Sequence, residues 1–110
     1  MAEAPSPGQG SLVGVWKRDD GLYLRVREEG GRVHGVLSDA EGLVHCRVRF
    51  QEEGGVWIGL ANWERFESRW ELSRGSAGLS GRSQWVDLLG DQVVASGWSP
   101  RSFVQLPRVN

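Results

Sequence analysis

This sequence predicts an all-β fold, an antiparallel up-and-down barrel of eight strands, and three observations carry that reading. Glycine fills 16 of 110 positions and recurs between short apolar-alternating runs, as Gly30-Gly31, Gly54-Gly55 and singles, which is the punctuation of a chain of hairpins. Several runs alternate strictly between apolar and polar residues, the period of a strand with one buried face. Helical patterning is nearly absent, so no helix stands ready to cover an open sheet. Closing the sheet on itself is the simplest way to leave no unpaired edge.

The elements follow in order. Residues 1–11 (MAEAPSPGQGS) are small, polar and rich in Pro and Gly, and they read as a flexible tail because they bury too little apolar surface to offset ordering. The barrel domain is then 12–110, a length suited to one core. Strands are expected over 13–18, 21–28, 32–39, 43–51, 55–63, 66–73, 79–88 and 92–106, the last bent or split at Pro100. Leu22, Leu24 and Val26 share one face against Tyr23, Arg25 and Arg27, and Val44, Cys46, Val48 and Phe50 oppose His45, Arg47 and Arg49. In the sixth run, Phe66, Ser68, Trp70 and Leu72 alternate with Glu67, Arg69 and Glu71, whose mixed charges mark a solvated exterior.

Composition narrows the class. Hydrophobic residues make up 39%, charged residues 25%, and the net charge is −1, which excludes collagen, coiled coil and wholesale disorder. No run of about 18 apolar residues occurs, and the opening Met1 to Pro7 lacks a basic then apolar leader, so no membrane partner and a cytoplasmic address are expected. The two charge signs are interspersed, so the field that drives non-specific nucleic-acid binding is absent. The single cysteine, Cys46, excludes an intrachain disulfide and a Cys-based zinc site. No His and carboxylate spacing marks a metal, and no cofactor motif occurs.

The fifth run departs from simple alternation. With Trp57, Gly59, Ala61 and Trp63 inward, Val56, Ile58 and Leu60 form an apolar stripe outside. Such a stripe serves either self-association, the favoured reading, or cover by the tail or the final segment. Six tryptophans are the other anomaly, and their amphipathic rings suit core and ligand contacts alike.

From Gly14 to about Leu106 the chain resembles the avidin and streptavidin family. Gly14-Val15-Trp16, Gly21 to Val26, and Gly31-Arg32-Val33-His34-Gly35-Val36 look like that family's first three strands, and Leu60-Ala61-Asn62-Trp63 is similar to its V-x-W strand. Trp85 and Trp98 fall at the remaining family tryptophans and Ser68 at a pocket-facing hydroxyl. The resemblance implies a calycin-like barrel that holds a small, partly apolar organic molecule in a Trp-lined cup. It also implies ligand contacts at Arg18, Leu22, Leu37, Asp39, Trp63, Ser68, Trp70, Trp85 and Trp98. The family's polar floor is rewritten, however, because its Asn, Ser and Tyr donors and a further hydroxyl fall on Arg18, Leu22, Leu37 and Asp39. A site that has lost those donors is not expected to hold biotin tightly.

Three function classes follow. The first is a non-catalytic binder, in which Arg18 and Asp39 either pair as a plug or read a charged ligand. The second is a small barrel enzyme of cyclase or isomerase type, with Asp39 or Asp87 as an inward base of raised proton affinity. The third is a structural or protein-interaction module centred on Val56, Ile58 and Leu60. His34 and His45 have exterior parity, and Cys46 reads as inert core.

Overall fold

The computed structural model describes residues 11–63, 66–76, 78–89 and 92–107. Among them lie β1 (Gly14–Arg18), β2 (Tyr23–Glu29), β3 (Arg32–Ser38), β4 (Val44–Glu53), β5 (Val56–Asn62), β6 (Phe66–Arg74), β7 (Leu79–Leu89), β8 (Gln92–Ala95) and β9 (Ser99–Gln105). From β1 to β7 each strand pairs antiparallel with the next, and β9 lies between β7 and β1. The sheet therefore closes as an antiparallel, up-and-down, eight-stranded barrel, in which β8 and β9 are two parts of one stave along β7.

That last stave is split as expected, but upstream of Pro100. Ser96 organises the break: Trp85 N donates to Ser96 Oγ at 3.1 Å, Ser96 N donates to Trp85 O at 3.0 Å, and the Gln84 amide donates to Ser96 O at 2.8 Å. Pro100 is accommodated inside β9, opposite Arg82 and near the strand's start, where a missing N–H is tolerated. At the hairpins β2–β3 and β4–β5, Gly30 and Gly31 have φ of 59° and 81°, and Gly54 and Gly55 have 59° and 86°. Two successive left-handed residues make the tight turn whose twist matches the flanking strands.

One end of the barrel is sealed by the chain entering it. Leu12 is 1% exposed, and its carbonyl accepts the Trp16 indole N–H at 2.8 Å. The Arg74 guanidinium lies 5.0 Å from the Trp16 ring centroid and donates to Ser11 O and Gln105 Oε1. Ser11 is thus hydrogen-bonded to the barrel, and the rest of the expected tail, 1–10, lies outside the described residues.

The interior above this plug is packed. Trp16, Leu24, Leu37, Val48, Trp70, Leu72, Leu79 and Phe103 are all buried, and the Phe50, Trp70 and Phe103 rings form a chain with centroids 6.1 and 5.7 Å apart. Inward Gly59 makes room for it, since a Cβ there would meet Phe50 Cε1 at 2.9 Å and Val48 Cγ1 at 3.0 Å. Small residues beside large ones are how a narrow barrel fills its lumen. Val44, expected inward with Cys46 and Val48, is instead 47% exposed, because the register of β3 with β4 shifts between Leu37 and Ser38.

Candidate functional site

The end opposite Leu12 is built from the ends of β1, β3, β5 and β7 and the starts of β2, β4 and β6. Here the inward row ends in side chains that leave a pocket of about 210 Å³. Its aromatic side is Trp63, Phe66 and Trp85. The Trp63 and Phe66 rings stack at 5.4 Å with planes 17° apart, and Trp85 meets Phe66 edge-on at 5.9 Å. This cluster follows from register: β5 and β6 place Ala61 opposite Ser68, and β6 and β7 place Ser68 opposite Trp85, all on the inward face. Trp85 remains 45% exposed.

The opposite side is polar. Arg18, Ser68, Ser83 and Arg101 line it, and the first three are each 7% exposed. The β1–β2 connection holds both arginines in place. Asp20 takes Arg18 as a fork, accepting from Nε at 2.9 Å and Nη2 at 2.6 Å, the strong bidentate geometry of a guanidinium on a carboxylate. Asp19 accepts from Arg101 Nη1 at 3.0 Å and from Ser102 N at 2.8 Å, which ties this connection to β9. The Arg18 guanidinium beside Asp20 holds its carboxyl below the ordinary carboxylate range, against an opposing push from burial.

Below the pocket, Trp70 is 1% exposed. Its indole N–H donates to Ser68 Oγ at 3.0 Å, and Arg18 lies 5.6 Å from its ring centroid. Trp70 is therefore the floor under the pocket and part of the core. Leu37 is also fully buried, and Leu22 is half-buried against the core.

The other sequence candidates sit elsewhere. Asp39 does not meet Arg18, whose partner is Asp20. It organises the β3–β4 connection instead, accepting from Leu43 N at 2.9 Å and Glu41 N at 3.0 Å, with His45 Nε2 at 3.5 Å from its other oxygen. Those backbone donors, foremost Leu43 N–H, pull its carboxyl below the ordinary range, the opposite direction from a tuned base. Asp87 is half-buried on β7 opposite Phe66 and is not part of the pocket wall. Trp98 lies under Arg82, 4.1 Å from ring centroid to guanidinium, and Arg82 also donates to Glu71 on the barrel's outer face. Cys46 is 4% exposed, and burial pushes its thiol up to about 12, which suits core rather than chemistry. His34 and His45 face outward, His34 bonding Glu29 at 3.0 Å.

Among the described residues no group of three or more His, Cys, Asp or Glu side chains is placed to hold a metal, and no helix is long and apolar enough to cross a membrane. The outward stripe of β5 is present: Val56 and Ile58 are half-buried and Leu60 is 38% exposed. The final segment closes the barrel instead of covering it.

Sequence reasoning did not single out Phe66, Ser83, Arg101, Asp19 or Asp20. Phe66 carried a usable signal, since it shares the inward parity of Ser68 and Trp70. Asp20 carried a local one, two residues from Arg18, whereas Asp19 carried none, because its partner Arg101 is 82 residues away. Comparison with protein-family models, with curated proteins and with solved structures finds no match to this chain.

Proposed function

We propose that the protein is a non-catalytic barrel that binds a small, partly apolar organic molecule at its open mouth. The observation that carries this is the mouth pocket itself. A half-exposed Trp85 and a stacked Trp63–Phe66 pair face two arginines and four serines across about 210 Å³. Apolar walls with a few placed polar groups are the usual build of a ligand site. The volume is below the roughly 300–1,000 Å³ of drug-sized sites, so the ligand is one ring or a fused pair. The reading is avidin-like in having tryptophans at the mouth of an up-and-down barrel, and unlike avidin in its polar wall. Native mass spectrometry of the protein isolated from its own source tests the reading. A retained, chemically unchanged small molecule is expected. A mixture of substrate and product would replace it with the enzyme reading.

The same proposal includes a second copy on the outer face of β5. Along the stripe, Leu60 is flanked by Arg49 and Arg69, Ile58 by Gln51 and Glu71, and Val56 by Glu53 and Ser73. The stripe is thus basic at one end and acidic at the other. A two-fold axis across it sets each basic end against the partner's acidic end, which is the self-complementarity an isologous contact requires. A groove of about 800 Å³ beside Ile58 and Leu60 gives the contact its relief.

A further inference from the structure

The polar wall of the mouth carries two guanidiniums and no carboxylate, and its acceptors are serine hydroxyls. Arg18 and Arg101 have donors only. Asp20 takes Arg18 Nε and Nη2, and among the described residues Arg18 Nη1 has no hydrogen bond. Ser83 Oγ and Asp19 take Arg101 Nε and Nη1, while Arg101 Nη2 has no partner among those residues. Of the four serines that line the pocket, Ser68 and Ser83 each spend an oxygen lone pair on the protein, and Ser99 has no side-chain hydrogen bond among the described residues. Ser68 Oγ accepts the Trp70 indole N–H, and Ser83 Oγ accepts Arg101 Nε–H at 3.0 Å, so each keeps its hydroxyl proton to give. Ser96 Oγ is spent between Trp85 N and Gly97 O. The carboxylates that balance the arginines, Asp19 and Asp20, do not line the pocket. The buried indole N–H of Trp63 also has no partner among the described residues.

From this we infer that the ligand is a carboxylate carried on a flat apolar ring. A ligand oxyanion is the complement of two guanidiniums with unused N–H groups beside serine hydroxyls, with charge-assisted bonds stronger than neutral ones. The ring faces Trp63 and Trp85, where an aromatic or otherwise planar body stacks. Both guanidiniums are held by their aspartates before the ligand arrives, so little side-chain freedom is lost on binding. This inference rests on the mouth being a ligand site, as proposed above, and it adds the ligand's chemical class.

The test is calorimetric titration with 2-naphthoate and, as a neutral isostere, 2-naphthamide, alongside 15N-resolved spectra that follow the Trp63 and Trp85 indole N–H signals. Naphthoate is expected to bind at least about tenfold tighter than naphthamide, as charge-assisted bonds replace neutral ones, and to shift both indole signals. Arg101→Gln should abolish that preference. Ser83→Ala, which keeps both charges, should weaken naphthoate several-fold and naphthamide less, so the proposal stays testable if the arginine variant fails to fold. Equal binding of the two probes with shifted indoles overturns the carboxylate inference and leaves the mouth as a binding site. If neither probe binds or moves the indoles, the ligand site itself falls, and the carboxylate with it.

Discussion

Replacing Trp70 with Phe separates a filled barrel from a hollow one. Trp70 is 1% exposed, touches Phe50 and Phe103 and donates to Ser68 Oγ. Trimming indole to phenyl removes roughly 40 Å³ of side chain, and at about 24 cal/mol per Å³ an uncollapsed void costs about 1 kcal/mol. The lost transfer energy of the missing ring atoms adds up to about 1 kcal/mol. The indole bond to Ser68 contributes about 0.5–1 kcal/mol, at the low end because the hydroxyl can turn into the pocket. The expected loss is therefore about 2–3 kcal/mol. With an m-value of about 1–1.5 kcal/mol/M for a chain of this size, the urea midpoint falls by roughly 2 M. Equilibrium unfolding followed by far-ultraviolet circular dichroism reads this directly. A midpoint within about 0.3 M of wild type would mean that Trp70 lines a hydrated cup, and the description of a packed interior with a shallow mouth would be refuted.

Three further outcomes are expected. Ile58→Glu places a charge in the middle of the outer stripe and should convert a dimer to a folded monomer in sedimentation velocity; unchanged sedimentation at micromolar protein removes β5 as the interface. Biotin should show no submicromolar affinity in calorimetry, because on the avidin resemblance the donors its ureido oxygen needs would fall on Arg18, Leu22 and Leu37, and each missing bond costs roughly 1–3 kcal/mol; nanomolar binding would overturn this expectation. Asp20→Asn should lower stability at neutral pH by about 1–2 kcal/mol. That is less than the roughly 3–5 kcal/mol of a fully buried pair, since Asp20 keeps 37% of its side chain in solvent. Its carboxyl lies below the ordinary 3.8 in the folded protein, so the contribution is present above the unfolded value and is lost as pH falls through the folded one. The gap between wild type and variant should narrow as pH falls below the ordinary carboxylate range and through the lower folded value, and a gap independent of pH would assign the loss to something other than the ion pair.

Much of the barrel is written in local pattern. Strand period, glycine punctuation and parity are properties of neighbours in sequence, and they suffice to place Leu24, Val26, Cys46, Val48, Trp57 and Ala61 inward, and Val56, Ile58 and Leu60 outward. They suffice also for eight staves in order, because short connections leave each strand only its neighbour to pair with. The departures come where chain order stops constraining geometry. Val44 leaves the core at a register shift, and the last stave breaks at Ser96 because that side chain, and not Pro100, captures the Trp85 backbone.

The sequence reached Arg18, Trp63, Ser68 and Trp85 at the mouth, and tertiary structure decided the rest of it. Parity says that Trp63, Ser68, Trp70 and Trp85 share a face, but depth along the barrel separates Trp70 at 1% exposure from Trp85 at 45%, and depth depends on how the strands are staggered on closure. Trp98 shows the same limit, for only the fold reveals that the break in the last stave sets it outside against Arg82. Arg18 has Asp19, Asp20 and Asp39 within reach of any sequence argument. The β1–β2 connection brings Asp20 onto it, two residues away, and sends Asp19 across to Arg101, 82 residues away, and that division holds both arginines at one small pocket.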